Sequence, residues 1–277
     1  MKVALIQMNI SREKAVNLDR ARSLIAEAAR GGADFAVLPE MFCCEYRNPA
    51  FIENREPAGG TIHSMLSEAA RENRIYLIGG SFPEEDGGRI YNSSFVFDRS
   101  GRQLARHRKA HLFDIDVDGG QVFRESDTFS PGNEITVFDT EFGKMGLEIC
   151  FDIRFPELTR IMALEGALAV FCPAAFNMTT GPAHWELSFR GRAVENQLFT
   201  LACAPARDVN GRYISYANSM AVTPWGDVLA RADAEETLLF ADLDLSLIGS
   251  IRRQLPLLAS RRADLYTLEP RAVDDGL

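Results

Sequence analysis

Three side chains of complementary chemistry, Cys150, Glu40 and Lys109, each stand just past the carboxyl end of a segment that reads as a β-strand. That is where α/β sheets present reactive groups. A thiol supplies a nucleophile, a carboxylate moves a proton, and an ammonium holds developing negative charge. Cys150 follows the run KMGLEI and begins a turn before a helix opened by Pro156. Such a turn exposes a side chain and aims backbone N–H groups inward, as a nucleophile elbow does. Each residue also has a plainer reading. Cys150 suits a small buried thiol, Glu40 a solvated strand end, and Lys109 a basic surface loop shared with Arg106, His107, Arg108 and His111. Position alone does not choose between them.

The elements that must carry these groups alternate between short β-rich runs and helical patterns, the mark of α/β architecture. Residues 2–8 (KVALIQM) read as a strand, and Leu18, Ala21, Ile25 and Ala28 as one face of a helix stopped at Gly31–Gly32. A buried strand over 34–39 ends at Glu40. A helix over about 61–73 precedes the strands IYLIGG, YNSSFVFD and RQLARH, the last running up to Lys109. Residues 112–132 read as a long loop, a length that inside a compact domain points to function. EITVFDT and KMGLEI lead to Cys150, followed by a helix from Pro156 that Gly166 closes, the strand ALAVFCP, a helix from about Pro182 to Gln197, and the strand FTLACAP. Short strands then run to about residue 242, before a final helix and tail.

Composition narrows the partners. The chain of 277 residues is 46% hydrophobic and 25% charged, an ordinary globular balance without a linker, so residues 1–277 read as a single domain. A formal charge of -9 repels a phosphate backbone or an anionic membrane, which argues against nucleic acid and membrane partners. No secretory signal or membrane-spanning run is legible. The five cysteines lack a framework spacing, and adjacent Cys43 and Cys44 would bridge only with strain, so a reducing cytoplasm is expected. His184 near Cys172 offers no paired metal-ligand spacing, and no metal is expected. Trp185 and Phe189 read as helix packing or a subunit contact; a redox role for Cys43–Cys44 has little to support it.

The segments LPEMF (38–42), RHRKAHLFDID (106–116) and GLEICFDIRFPEL (146–158) resemble, in order and separation, the three signature blocks of the nitrilase superfamily of carbon–nitrogen hydrolases. The likeness runs from the first strand to the final helix. FRESDTFSPG (123–132), AFNMTTGPAHWE (175–186), GRAVENQ (191–197), APARD (204–208) and RRADLY (261–266) are similar to the ω-amidase branch, whose members hydrolyse the terminal amide of 2-oxoglutaramate and 2-oxosuccinamate. The resemblance implies a four-layer αββα sandwich of two mixed β-sheets flanked by helices, without a cofactor. It also implies a homodimer or higher homo-oligomer joined through the helices near 156–165 and 184–197.

The same resemblance makes Glu40, Lys109 and Cys150 a catalytic triad and carries over Glu125 as a second glutamate, whose alternative is a solvated loop carboxylate. Lys109 is expected to favour the Cys150 thiolate, and Glu40 to take the thiol proton as attack begins. The Lys109 ammonium and the backbone N–H of Phe151 would hold the oxyanion. Arg154, four residues after Cys150, suits bidentate binding of a substrate carboxylate, against an ion pair with Glu157 or another acid. Phe176 belongs to the implied pocket, against plain core. Tyr46 lies in LPEMFCCEYR, where the residues after Glu40 depart from the commoner branch pattern, and is assigned to the pocket wall. The expected reaction is hydrolysis of a small, anionic 2-oxo-acid amide through a thioester. The rivals are an aliphatic amidase, carbamoylase or nitrilase of the same superfamily, or a catalytically silent binding protein.

Overall fold

The computed structural model describes residues 1–270. In chain order the elements are β1 (Lys2–Gln7), α1 (Lys14–Arg30), β2 (Phe35–Val37), α2 (Asn48–Asn54), α3 (Thr61–Asn73), β3 (Tyr76–Ile78), β4 (Phe82–Asp86), β5 (Arg89–Phe97) and β6 (Gln103–Arg108). Then follow β7 (Asp114–Asp116), β8 (Val122–Arg124), β9 (Thr136–Thr140), β10 (Gly143–Leu147), α4 (Pro156–Leu164), β11 (Ala169–Pro173), α5 (Gly181–Asn196) and β12 (Phe199–Cys203). β13 (Met220–Val222), β14 (Val228–Arg231), β15 (Thr237–Asp242) and α6 (Ser246–Gln254) complete the chain.

Two mixed sheets form. One runs β15-β1-β2-β3-β5-β4, with β6 also paired to β5; the other runs β14-β13-β12-β11-β10-β9. β1, β2 and β3 are parallel neighbours, whereas β15 closes on β1 antiparallel, pairing Lys2 with Asp242. Side-chain alternation along each strand then assembles the layers. From β1, Val3 and Leu5 point to the second sheet and meet Met145, Leu147, Phe171 and Leu201. Ala4 and Ile6 point the other way, onto Ala21, Ile25 and Ala28 of α1 and Leu66 and Ala70 of α3. In the second sheet Cys172, Ala202 and Val222 face Trp185 and Phe189 of α5, while Val170 faces Leu158 and Met162 of α4. Strands apolar on both faces require cover on both sides, and the αββα sandwich supplies it.

Residues 112–132, expected as a loop, instead carry the hairpin of β7 and β8 and a 3-10 turn over Glu125–Asp127. Both strands are three residues long, and their exposed positions mix the charged Asp114, Asp116 and Arg124 with the apolar Val122, so no apolar alternation announces them. α2 and β4 also went unread; α2 spans only seven residues, too few for a helical period to register. Cys172 and Cys203 lie in the core as expected, and all five cysteines are free.

Candidate active site

The strand ends of both sheets converge on one buried cluster. Glu40 follows β2, and the backbone there turns sharply, Met41 adopting φ 52. Lys109 follows β6, its N–H donating to the Asn92 carbonyl of β5 at 2.8 Å. Cys150 heads a 3-10 turn, Cys150–Arg154, with φ 47. A non-glycine residue in the left-handed region is strained and persists only where its surroundings impose it.

Those surroundings are explicit. Asp152, fully buried, accepts from the N–H of Ile149 at 3.1 Å and from the N–H of His111 at 2.9 Å. Its two oxygens also lie 3.0 Å from His107 Nε2 and 2.8 Å from His111 Nδ1. The two histidines that bracket Lys109 are therefore tied to the turn that carries Cys150. These contacts hold the Asp152 carboxyl well below its ordinary range, against a burial that pushes it up. From α5, Arg192 donates to the carbonyls of Ile153 and Arg154 at 2.9 and 3.0 Å, satisfying groups the short turn leaves open. The plainer reading of Lys109 as part of a basic surface loop does not hold: His107 and Lys109 are buried, and Arg106 and Arg108 pair with Glu84.

Lys109 Nζ lies 2.8 Å from Glu40 Oε1 and 2.8 Å from Glu125 Oε2. Glu125 is wholly buried, so it is not a solvated loop carboxylate. The two carboxylates differ in how their oxygens are used. Glu125 Oε2 also accepts the Phe113 N–H at 2.6 Å, and its Oε1 accepts from Asn92 Nδ2 at 2.9 Å and from the Tyr46 hydroxyl at 3.4 Å. Glu40 Oε1 takes Lys109, Asn92 Nδ2 at 2.9 Å and the Tyr46 hydroxyl at 3.3 Å, while Glu40 Oε2 has no partner.

Two carboxylates and one ammonium would leave a net negative charge in a dry interior, and the proton affinities respond. Burial first, and the Glu125 charge, raise the Glu40 pKa against the opposing pull of Lys109; burial lowers that of Lys109, yet the two glutamates and Cys150 carry it well above its usual value. Burial and then Glu40 push the Cys150 thiol well above its ordinary value, outweighing Lys109. Lys109 does favour the Cys150 thiolate, as expected of it, but its pull is the smaller one. Glu40 and Cys150 interact across the site, although no thiol hydrogen bond of ordinary geometry is formed; the sulfur accepts from the Ala175 N–H at 3.5 Å.

Cys150 keeps 4% of its surface exposed. The cleft over this cluster is lined by Glu40, Tyr46, Arg47, Ala175, Arg212 and Tyr213 among others. Tyr46 stacks on Tyr213 with ring centroids 4.5 Å apart, and the Tyr213 hydroxyl donates to the Ala175 carbonyl. Tyr46 thus belongs to the wall, where expected, and also touches both glutamates. Among the described residues Arg154 does not pair with Glu157 or another acid: its guanidinium lies 4.5 Å over the Phe176 ring, Nη1 is 2.9 Å from His184 Nδ1, and buried Nε has no partner. Phe176 is at once core, edge-on to Trp185 at 5.1 Å, and the platform under Arg154. Phe151 follows Cys150 in the turn, its ring edge-on to Phe113 at 5.3 Å. Asn92, Tyr213 and Arg192 were missed, and His184 was weighed only as a metal ligand. None sits beside a reactive residue in sequence; β5 brings in Asn92, α5 His184 and Arg192, and the segment between β12 and β13 Tyr213. Among the described residues no group of three or more His, Cys, Asp or Glu side chains is placed to hold a metal ion.

A thiol set against a carboxyl–ammonium–carboxyl cluster inside an αββα sandwich defines a hydrolase of carbon–nitrogen bonds. Residues 2–253 match the carbon-nitrogen hydrolase family, and the chain belongs to that family. It is 49% identical over 270 residues to omega-amidase NIT2 of Mus musculus, covering 98% of each chain. Among solved structures it is similar to Saccharomyces cerevisiae Nit3, a member of branch 10 of the nitrilase superfamily, with TM-score 0.87 and 39% identity over 95% of this chain and 96% of that one. It is also similar to an amidase of Nesterenkonia sp. AN1 seen with the acetamide moiety of fluoroacetamide added at its active-site cysteine, with TM-score 0.79 and 26% identity over 96% of this chain and 95% of that one. The protein is an enzyme of the carbon–nitrogen hydrolase class.

Proposed function

We propose that the protein is an ω-amidase that hydrolyses the terminal amide of small 2-oxo-dicarboxylic acid monoamides such as 2-oxoglutaramate. The observation that carries the substrate class is Arg154. It is a half-buried guanidinium without a carboxylate partner among the described residues, seated on an aromatic ring and within electrostatic reach of Cys150. Burial lowers its pKa, and a substrate carboxylate returns the charge partner it lacks. The kinship to the murine ω-amidase points the same way.

In the reaction we assign to this site, the Cys150 sulfur attacks the amide carbon while the thiol proton passes to Glu40. A carboxylate whose proton affinity is raised by burial is suited to accept that proton and give it back. The amide oxygen becomes an oxyanion facing Lys109, whose three N–H groups serve two carboxylates and retain capacity for a substrate oxygen, and facing the backbone N–H of Phe151. One such donor contributes about 3–4 kcal/mol. Glu40 then protonates the departing nitrogen, the C–N bond breaks and ammonia leaves a thioester on Cys150. Water gives a proton to Glu40 and attacks the thioester, releasing the acid and the thiol. Glu125, fully hydrogen-bonded, holds Lys109. No step calls for a cofactor.

Around this centre we place a single domain in a reducing cytoplasm, pairing with a second copy through α4 and α5, where Leu164, Leu187 and Val194 are exposed and Arg160 keeps a buried unpaired nitrogen. Sedimentation at micromolar concentration reads that pairing. The function itself is read as ammonia released from 2-oxoglutaramate, a neutral aliphatic amide and a nitrile, with wild type and Cys150→Ala. Turnover fastest on the oxo-acid amide and lost in the folded variant is expected; a clear preference for the neutral amide or the nitrile sinks the substrate assignment.

A further inference from the structure

The asymmetry between the two oxygens of Glu40 has a structural origin in β5. Asn92 is buried, and its Nδ2 lies 2.9 Å from Glu40 Oε1 and 2.9 Å from Glu125 Oε1. One amide nitrogen with two N–H groups serves two carboxylates, one bond each. The reverse orientation is closed to it, because the amide oxygen would then face both anionic groups. That same oxygen, Asn92 Oδ1, is buried without a partner. An unpaired buried amide oxygen costs stability, so the amide stands here against its own solvation preference. The Asn92 carbonyl meanwhile accepts the Lys109 N–H, so one residue sets the position of three members of the cluster.

We propose that Asn92 is a positioning residue that saturates Glu40 Oε1 and thereby reserves Glu40 Oε2 for the proton exchanged with Cys150 and the leaving nitrogen. This rests on the amidase reading above. With three donors on Oε1 and none on Oε2, the carboxylate cannot present either oxygen indifferently. The thiol proton goes to Oε2 as the S–C bond forms, and leaves Oε2 for nitrogen as the C–N bond breaks. Tyr46 cannot substitute for Asn92, since its single hydroxyl proton is shared at 3.3 and 3.4 Å between the two glutamates.

The groups that face Glu40 are Lys109, Glu125, Tyr46 and Cys150, with Tyr213 beyond the sulfur. Removing a donor from an ionised carboxylate raises its proton affinity. The acid limb of kcat/KM, which reports the free enzyme's base, must then move to higher pH. Asn92→Leu removes the donors at similar volume; Asn92→Asp keeps the shape and sets a third carboxyl against the other two. With 2-oxoglutaramate, kcat of Asn92→Leu is expected to fall roughly 10–100-fold with KM within about twofold. Its acid limb should rise by about one pH unit, and that of Asn92→Asp further still. A purely structural role would lower kcat or folded fraction without ordering the limbs. Wild-type limbs in Asn92→Asp, or unchanged kcat in Asn92→Leu, overturn the proposal; if Asn92→Leu does not fold, the isosteric Asp variant decides alone. Failure of the amidase reading is separate, since it appears as undiminished turnover in Cys150→Ala or Glu40→Gln.

Discussion

Glu148 stands two residues before Cys150, wholly buried, and replacing it by Gln should stabilise the protein in a pH-dependent way. Its Oε2 accepts the Thr159 hydroxyl at 3.2 Å, and its Oε1 has no partner. Burial, then the nearby Asp152 charge, push its pKa from the ordinary 4.5 up to about 8, with Thr159 and Arg192 opposing weakly. Below 4.5 the carboxyl is protonated in both the folded and unfolded chain and costs nothing extra. Between 4.5 and about 8 the unfolded chain has released a proton that the folded one still holds, so stability falls as pH rises, and the loss is complete above about 8. Each unit of difference is worth about 1.4 kcal/mol. The interval of 3.5 units, 8 minus 4.5, therefore corresponds to about 5 kcal/mol, of which about 3 is lost by pH 7. Glutamine has the shape of the protonated acid and cannot ionise. Urea or guanidinium unfolding of wild type and Glu148→Gln at pH 5, 7 and 9 should show the variant's advantage at about 1, then about 3, then about 5 kcal/mol. A difference that stays constant with pH, or a variant less stable at pH 9, refutes the argument.

Two further substitutions probe the frame of the site. Arg154→Leu should raise KM for 2-oxoglutaramate roughly 10–100-fold, the loss of one charge-assisted contact, and leave a neutral amide within about threefold; equal effects on both substrates would remove Arg154 from carboxylate binding. Gly80, at φ +60, sits where a Cβ would lie 2.3 Å from the Pro39 carbonyl oxygen, just before Glu40. Gly80→Ala should therefore cost about 2 kcal/mol or more and reduce kcat with it, read by thermal melting and ammonia release; an unperturbed melt counts against the close approach.

The sequence by itself determined the layers and pointed to the three side chains that the fold gathers in one cluster. Val3 and Leu5 alternate with Ala4 and Ile6, and a strand apolar on both faces has to be sandwiched; the 3.6-residue spacing in α1 likewise announces which face lies against it. Glu40, Lys109 and Cys150 were legible because each ends such a strand and because signature blocks surround them. What the tertiary structure decided is which groups face one another. Asn92 reaches Glu40 across 52 residues, Lys109 reaches it across 69, and His107 reaches Asp152 across 45. Strand order creates those contacts, and a local pattern reports only which way a side chain points. The hairpin that leads to Glu125 was unreadable for a related reason: its strands are three residues long, and their exposed positions mix charged residues with Val122. Proton affinity belongs to the fold too: Lys109 by itself favours the Cys150 thiolate, but burial and the facing Glu40 push the thiol pKa up, because a charge deprived of solvent answers to its nearest neighbours.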